Sequence, residues 1–121
     1  MSAVVLALCL SGMLAAPPAR AATGGCGGQL VKSLPLGSGS GSGEVRVYKS
    51  RAQACAATFA REPGARRPMA VSIQPRGGVP VRDAGQFTRY AGPVVVGAIN
   101  RCVYVKGSIG VESVESGWIL C

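Results

Sequence analysis

This sequence predicts an all-β domain, a small antiparallel β-sandwich or barrel held by two disulfides. Three observations predict it. Apolar residues alternate with period two over several short runs, as in Glu44-Val45-Arg46-Val47-Tyr48. Turn residues recur about every 8 to 12 positions, the spacing of small sandwiches and barrels. Four cysteines, Cys26, Cys55, Cys102 and Cys121, follow an N-terminal leader. An even cysteine count in a short exported chain is a disulfide framework.

The leader is an apolar stretch, Ser2 to Ala16, ending in Pro17-Pro18-Ala19-Arg20-Ala21. Its small-x-small ending is a signal-peptidase site. Residues 1–21 are expected to be a signal peptide and residues 22–121 a single secreted β domain. No Lys or Arg precedes the apolar run, so the Met1 amine is its only positive group. The run falls short of the roughly 20 residues that span a bilayer, so no transmembrane segment is expected in the mature chain. Cys9 follows Leu8 rather than a small residue, which places it in the discarded leader rather than a lipobox.

Along the mature chain, Ala22 to Gly28 is glycine-rich and is tied down by Cys26. Leu30 to Leu36 is a short apolar segment. The run from Gly37 to Gly43 alternates Gly and Ser, and reads as a hairpin loop. It is not a phosphate loop, because no Lys-Ser or Lys-Thr follows it. Glu44 to Tyr48 is a strand. Gln53 to Ala60 has helix-compatible residues, but the turn at Pro63-Gly64 favours a strand. Met69, Val71 and Ile73 alternate in the next strand. Gly77-Gly78 and Asp83-Ala84-Gly85 mark turns, with a strand over Gln86 to Tyr90. Gly92 to Ala98 contains Val94-Val95-Val96, the pattern of a strand buried on both faces. Asn100 marks a reversal between that strand and Cys102 to Ile109, and Glu112 to Cys121 completes the sheet.

Three cysteine pairings are possible. Cys55 and Cys102 both lie inside predicted strands, and Cys26 and Cys121 lie at the chain ends. Position therefore favours Cys55 with Cys102 and Cys26 with Cys121, which would staple the termini. Cys26 with Cys55 plus Cys102 with Cys121 is the main rival.

The chain contains no histidine. That removes Ser-His-Asp and Cys-His catalysis and His-containing zinc sites. A four-cysteine zinc site needs closely spaced pairs, which are absent, so no metal or cofactor is expected. Glu112 and Glu115 are the one close carboxylate pair. Three positions apart on a strand they face opposite ways, so they cannot flank a glycosidic bond. Ser108 has Gly110 after it but Lys106 where a nucleophile elbow needs glycine. No catalytic residue is assigned.

The net charge of +8 becomes +7 once Arg20 leaves with the leader. Such a charge serves solubility, and it also favours cell-wall polymers, acidic lipids or nucleic acid. Arg61, Arg66 and Arg67 surround Pro63-Gly64 and are the candidate anion-binding residues. Three guanidiniums there could grip an anion, or form a solvated hairpin tip partly neutralised by Glu62. Arg76, Arg82 and Arg89 are candidates for the same face. Tyr48, Tyr90, Tyr104 and Trp118 could form a platform for sugar or peptide, although a core so poor in aromatics predicts that most serve as packing groups.

The stretch Phe87-Thr88-Arg89-Tyr90-Ala91-Gly92-Pro93-Val94 resembles a segment of small secreted actinobacterial proteins of the spore-associated protein A type. Cys102-Val103 leading to Gly107-Ser108-Ile109, the terminal cysteine and the cysteine in the second predicted strand extend the resemblance over residues 44–121. It implies export, two disulfides and a compact β domain at the spore or cell surface, with no catalytic residue. The chain departs from that pattern at Tyr104-Val105-Lys106, where the family carries an acidic and an aromatic residue. The expected protein is thus extracellular and non-enzymatic, adhering to an anionic cell-wall or spore-coat polymer through a basic face. The alternative is a secreted inhibitor or protein-interaction module. Nucleic acid is not the expected partner.

Overall fold

The computed structural model describes residues 25–38 and 41–121. The expected signal peptide and cleavage site, residues 1–21, lie outside the described residues. The described chain forms eight strands: β1 (Gln29–Leu36), β2 (Gly43–Lys49), β3 (Gln53–Ala60), β4 (Arg67–Pro75), β5 (Val81–Phe87), β6 (Tyr90–Gly97), β7 (Val103–Ile109) and β8 (Glu112–Ile119). They make two antiparallel four-stranded sheets, ordered β1-β2-β3-β6 and β5-β4-β7-β8. The chain crosses between sheets after β3, β5 and β6. The sheets face each other as a sandwich, with β6 beside β5 along one edge and β1 beside β8 along the other. The expected all-β sandwich with two disulfides is therefore the fold.

Alternation places the core. Val45 and Val47 of β2, Met69, Val71 and Ile73 of β4, and Val103, Val105 and Ile109 of β7 point between the sheets and are buried. Thr58 is the buried polar side chain among them, and its hydroxyl donates across the sandwich to the Ala70 carbonyl at 2.9 Å. Gly107 sits directly opposite. A β-carbon there would collide with Val45 Cγ2 and Thr58 Oγ1. The sheets approach closely at this point, and glycine is what permits it.

Four local expectations are corrected. First, Val94-Val95-Val96 is not buried on both faces: Val94 and Val96 are buried, but Val95 is 41% exposed. β6 is an edge strand with one covered face. The strand buried on both faces is the alanine-rich β3, where Ala54 to Thr58 are all buried. Second, Asp83-Ala84-Gly85 is not a turn. It lies inside β5, and the strand expected at Gln86 to Tyr90 is split by the reversal at Thr88-Arg89. Asp83 points inward at the sandwich edge and accepts a hydrogen bond from the Gly92 N–H at 2.8 Å, joining β5 to β6. Third, Pro63-Gly64 is not a hairpin tip. β3 and β4 belong to different sheets, so residues 61–66 arch over one end of the sandwich. Fourth, the aromatics are mostly not core packing. Phe59, Tyr90, Tyr104 and Trp118 lie on outer faces, and Tyr48 packs with Cys26 and Cys55 in a small cluster outside the main core. Phe87 alone packs against the core, at its edge.

The disulfide pairing is also corrected. The bonds join Cys26 to Cys55 and Cys102 to Cys121. Cys55 pairs in register with Tyr48 and Val95 on the outer face of its sheet, away from the other sheet. It cannot reach Cys102, which leads into β7 of the second sheet. Cys26 instead folds over the outer face and packs on Cys55 and Tyr48, which accounts for the burial of β3's outer face at Cys55. Cys102 precedes β7 and Cys121 follows β8, which are neighbouring strands, so that bond ties their ends together.

Peptide mapping under non-reducing conditions should recover these two pairs. Cys102→Ala with Cys121→Ala should cost about 2 to 4 kcal/mol by urea unfolding, from the loop it closes. Gly107→Ala should cost about 1 to 3 kcal/mol, because the methyl group must displace buried side chains.

Candidate functional site

The outer face of the second sheet gathers side chains that the sequence scatters. Strand register aligns them in cross-strand rows. Arg82, Ser72, Lys106 and Glu115 form one row, and Ala84, Ala70, Ser108 and Ser113 the next. Gln74, Tyr104 and Trp118 form a third. The small residues in the centre leave a shallow depression of about 150 Å³, flanked by Arg82, Lys106 and Glu115. Hydroxyls of Ser72, Ser108 and Ser113 line it.

An aromatic wall stands beside this depression. Tyr104 and Trp118 meet edge-to-face with ring centroids 5.2 Å apart. The Arg76 guanidinium lies 5.4 Å from the Trp118 ring centre, and Lys106 Nζ lies 5.9 Å from that of Tyr104. A β-bulge aims Trp118. Opposite Val105, β8 inserts an extra residue at Ser116-Gly117, with Gly117 at φ 74°. The Val105 N–H loses its ladder partner and donates instead to Ser116 Oγ at 2.9 Å. Bulges of this kind re-aim side chains on a sheet surface.

The face is cationic as well as aromatic. Among the described residues the one ion pair within 4.0 Å joins Arg46 to Glu44, on the other sheet. Arg76, Arg82 and Lys106 therefore carry no carboxylate partner. Glu115, the one acid on this face, accepts a hydrogen bond from the Tyr104 hydroxyl. Cations over aromatic rings beside serine hydroxyls suit a ligand with both sugar rings and negative charge.

The sequence-derived candidates Arg61, Arg66 and Arg67 lie elsewhere, at the end of the sandwich capped by residues 61–66. Arg61 and Arg67 line one shallow cavity of about 180 Å³ with Gly41, Ser42 and Glu62, and Arg66 does not. Arg67 is committed to the loop itself: it donates to the Glu62 carbonyl at 2.9 Å and the Ala65 carbonyl at 3.3 Å. Arg89 reaches the same end, where its carbonyl accepts from Ala60 N–H. Arg82 and Arg76 do not join this group.

On the outer face of the first sheet, Arg46 stacks 4.4 Å from the Phe59 ring centre, and Phe59 meets Tyr90 at 5.7 Å. Burial works against the Arg46 charge, but Glu44 and Tyr48 outweigh it and hold the guanidinium above its ordinary range. That cation is already neutralised. Glu112 and Glu115 face opposite sides as expected. Glu112 pairs with inward Ile109 and lies over Gly37, whereas Glu115 pairs with outward Lys106. Ser108 sits within β7, in the hydroxyl row.

The sequence offered Tyr104 and Trp118 as members of one aromatic platform with Tyr48 and Tyr90, but it joined neither to Arg82, and it weighed Lys106 only as a misfit in a nucleophile elbow and as a departure from a family pattern. The usable signal was alternation in Val103-Tyr104-Val105-Lys106, which sets Tyr104 and Lys106 on the face opposite the core. The Tyr104 phenol is held above the ordinary tyrosine value, chiefly by its hydrogen bond to Glu115, with desolvation and the carboxylate charge adding. The neutral phenol is the bonded form, so the bond persists through neutral pH and is lost as pH rises through the raised value. Ultraviolet titration should show Glu115→Ala returning Tyr104 toward about 10. Comparison with family models, with curated proteins and with solved structures finds no match for this chain.

Proposed function

We propose that this protein is a non-enzymatic extracellular binding domain that holds an anionic polymer of the cell wall or spore surface against the outer face of its second sheet. The observation that carries the reading is the coincidence of unpaired Arg82 and Lys106 with the Tyr104–Trp118 wall and the serine-lined depression between them. Sugar rings would stack on Trp118, hydroxyls would meet Ser72 and Ser108, and acidic groups would face Arg82, Lys106 and Arg76. Two disulfides fit an oxidising compartment, where such polymers are found. The resemblance of residues 86–109 to spore-associated proteins agrees with a surface location. Arg61 and Arg66 at the end of the sandwich would add attraction at longer range, but Arg67 would contribute mainly to the loop.

Retention on purified cell walls tests this. Arg82→Ser with Lys106→Ser should weaken retention about tenfold at low salt, and about 0.5 M salt should mimic the change, because exposed charges are then screened within a few ångströms. Trp118→Ala should also weaken it, without the salt dependence. Exposed charges contribute little to stability, so the double variant should unfold at nearly the wild-type urea concentration. Retention that ignores salt and both substitutions would overturn the reading. Salt-resistant, stoichiometric capture of one wall protein would establish the interaction-module alternative instead.

A further inference from the structure

The opposite end of the sandwich carries a different surface. Three loops form it: residues 50–52 between β2 and β3, 76–80 between β4 and β5, and 98–102 between β6 and β7. Backbone hydrogen bonds weld them together. The Ala98 N–H donates to Ala52 O and the Arg76 N–H to Cys102 O, each at 2.9 Å. The Cys102–Cys121 bond anchors the third loop. Lys49 Nζ donates to the Ser50 and Arg51 carbonyls at 2.6 and 3.3 Å and so stiffens the first.

This end is both greasy and basic. Val79 and Ile99 stand at two loop tips, 76% and 65% exposed. Arg51, Arg76 and Arg101 sit on the same three loops, with Lys49 at their margin, and the loops contain no acidic residue. The asymmetry extends further. Of the exposed large apolar side chains among the described residues, only Tyr90 and Val111 lie toward the other end, while Leu30, Val31, Val81, Val95 and Trp118 lie in the half that carries Val79 and Ile99. Exposed aliphatic tips ringed by cations suit neither water nor a sugar, since aliphatic side chains offer no stacking face. They suit the interface of an anionic bilayer, where the tips enter the acyl boundary and the guanidiniums meet lipid phosphates.

We propose that the loops at 50–52, 76–80 and 98–102 dock this domain on anionic lipid, with Val79 and Ile99 inserted and Arg51, Arg76 and Arg101 on the headgroups. This surface is separate from the polymer-binding face, although Arg76 borders both. The test is co-sedimentation of the mature chain with vesicles of phosphatidylglycerol mixed with phosphatidylcholine, and with vesicles of phosphatidylcholine alone. Binding is expected to the first only. Arg51→Ser with Arg101→Ser should weaken it about 25-fold, at about fivefold for each cation near the surface. Val79→Ser with Ile99→Ser leaves every charge in place and should weaken it about tenfold. All four positions are exposed, so both variants should fold, with circular dichroism as the check. Arg82→Ser with Lys106→Ser should leave vesicle binding unchanged, which keeps this result distinct from wall retention. No binding to phosphatidylglycerol vesicles would overturn the proposal. So would binding that survives the Val79–Ile99 change, because attraction without insertion needs no apolar tips. Loss of wall retention, but no vesicle effect, on changing these four residues would assign the surface to the polymer and overturn it equally.

Discussion

At Gly107 the two sheets come into contact through Val45 and Thr58, with no room for a methyl group between them. The rest of the molecule is arranged around that closeness. The inner face is restricted to slender aliphatic side chains, and the core is accordingly built from valine, isoleucine, alanine, one leucine and one methionine. No aromatic ring lies at its centre. The Thr58 hydroxyl is tolerated there because it spans the gap to the Ala70 carbonyl and leaves no donor unpaired. With the interior closed to rings, Phe59, Tyr90, Tyr104 and Trp118 go to the outer faces, where they become available to ligands.

The same constraint governs the disulfides. A thin core in so small a domain buries only about two-thirds of its unfolded surface, so covalent closure matters. Neither bond crosses the sandwich, and both lie outside the core. Cys26–Cys55 lays Cys26 over β3 and covers the outer face of this alanine strand, too slight to shield itself, at Cys55. Cys102–Cys121 closes the ends of β7 and β8 next to the bulge that aims Trp118. One bond completes the packing, and the other steadies surface chemistry.

Much of the fold was legible in the sequence, and the failures have physical causes. β2, β4 and β7 announce themselves by clean alternation, because each has one face on the core and one on solvent. β5 was obscured because Asp83-Ala84-Gly85 has turn composition. An edge strand tolerates such residues, and Asp83 is placed inward for its bond to the Gly92 N–H, not for a reversal. The pairing of the cysteines depends on which sheet each strand joins and which way each side chain points. Local pattern carries neither fact for Cys55, whose neighbours Ala54 and Ala56 are as apolar as those on its other side. The outer-face site was half legible. Alternation put Tyr104 and Lys106 on one side of β7, but their meeting with Trp118, Arg82 and Ser72 is a matter of register between strands distant in sequence. The Ser116-Gly117 bulge that brings Trp118 opposite Tyr104 has no signal beyond a glycine in a strand.

Arg76 connects the two surfaces. Its guanidinium lies over Trp118 on the sheet face, and its backbone N–H holds Cys102 O in the loop that presents Ile99. Cys102 is in turn bonded to Cys121, next to the strand that carries Trp118. A polymer chain stacked on Trp118 and a lipid phosphate at the adjoining loops would therefore compete for one guanidinium while sharing one covalent anchor. If both proposals hold, the domain lies between two negatively charged layers and leans on each with a different set of cations, Arg82 and Lys106 toward the polymer and Arg51 and Arg101 toward the lipid. Breaking Cys102–Cys121 would loosen both surfaces together. Breaking Cys26–Cys55 would uncover Cys55 and Tyr48 on the far sheet and leave the two proposed binding surfaces in place as long as the sandwich itself holds.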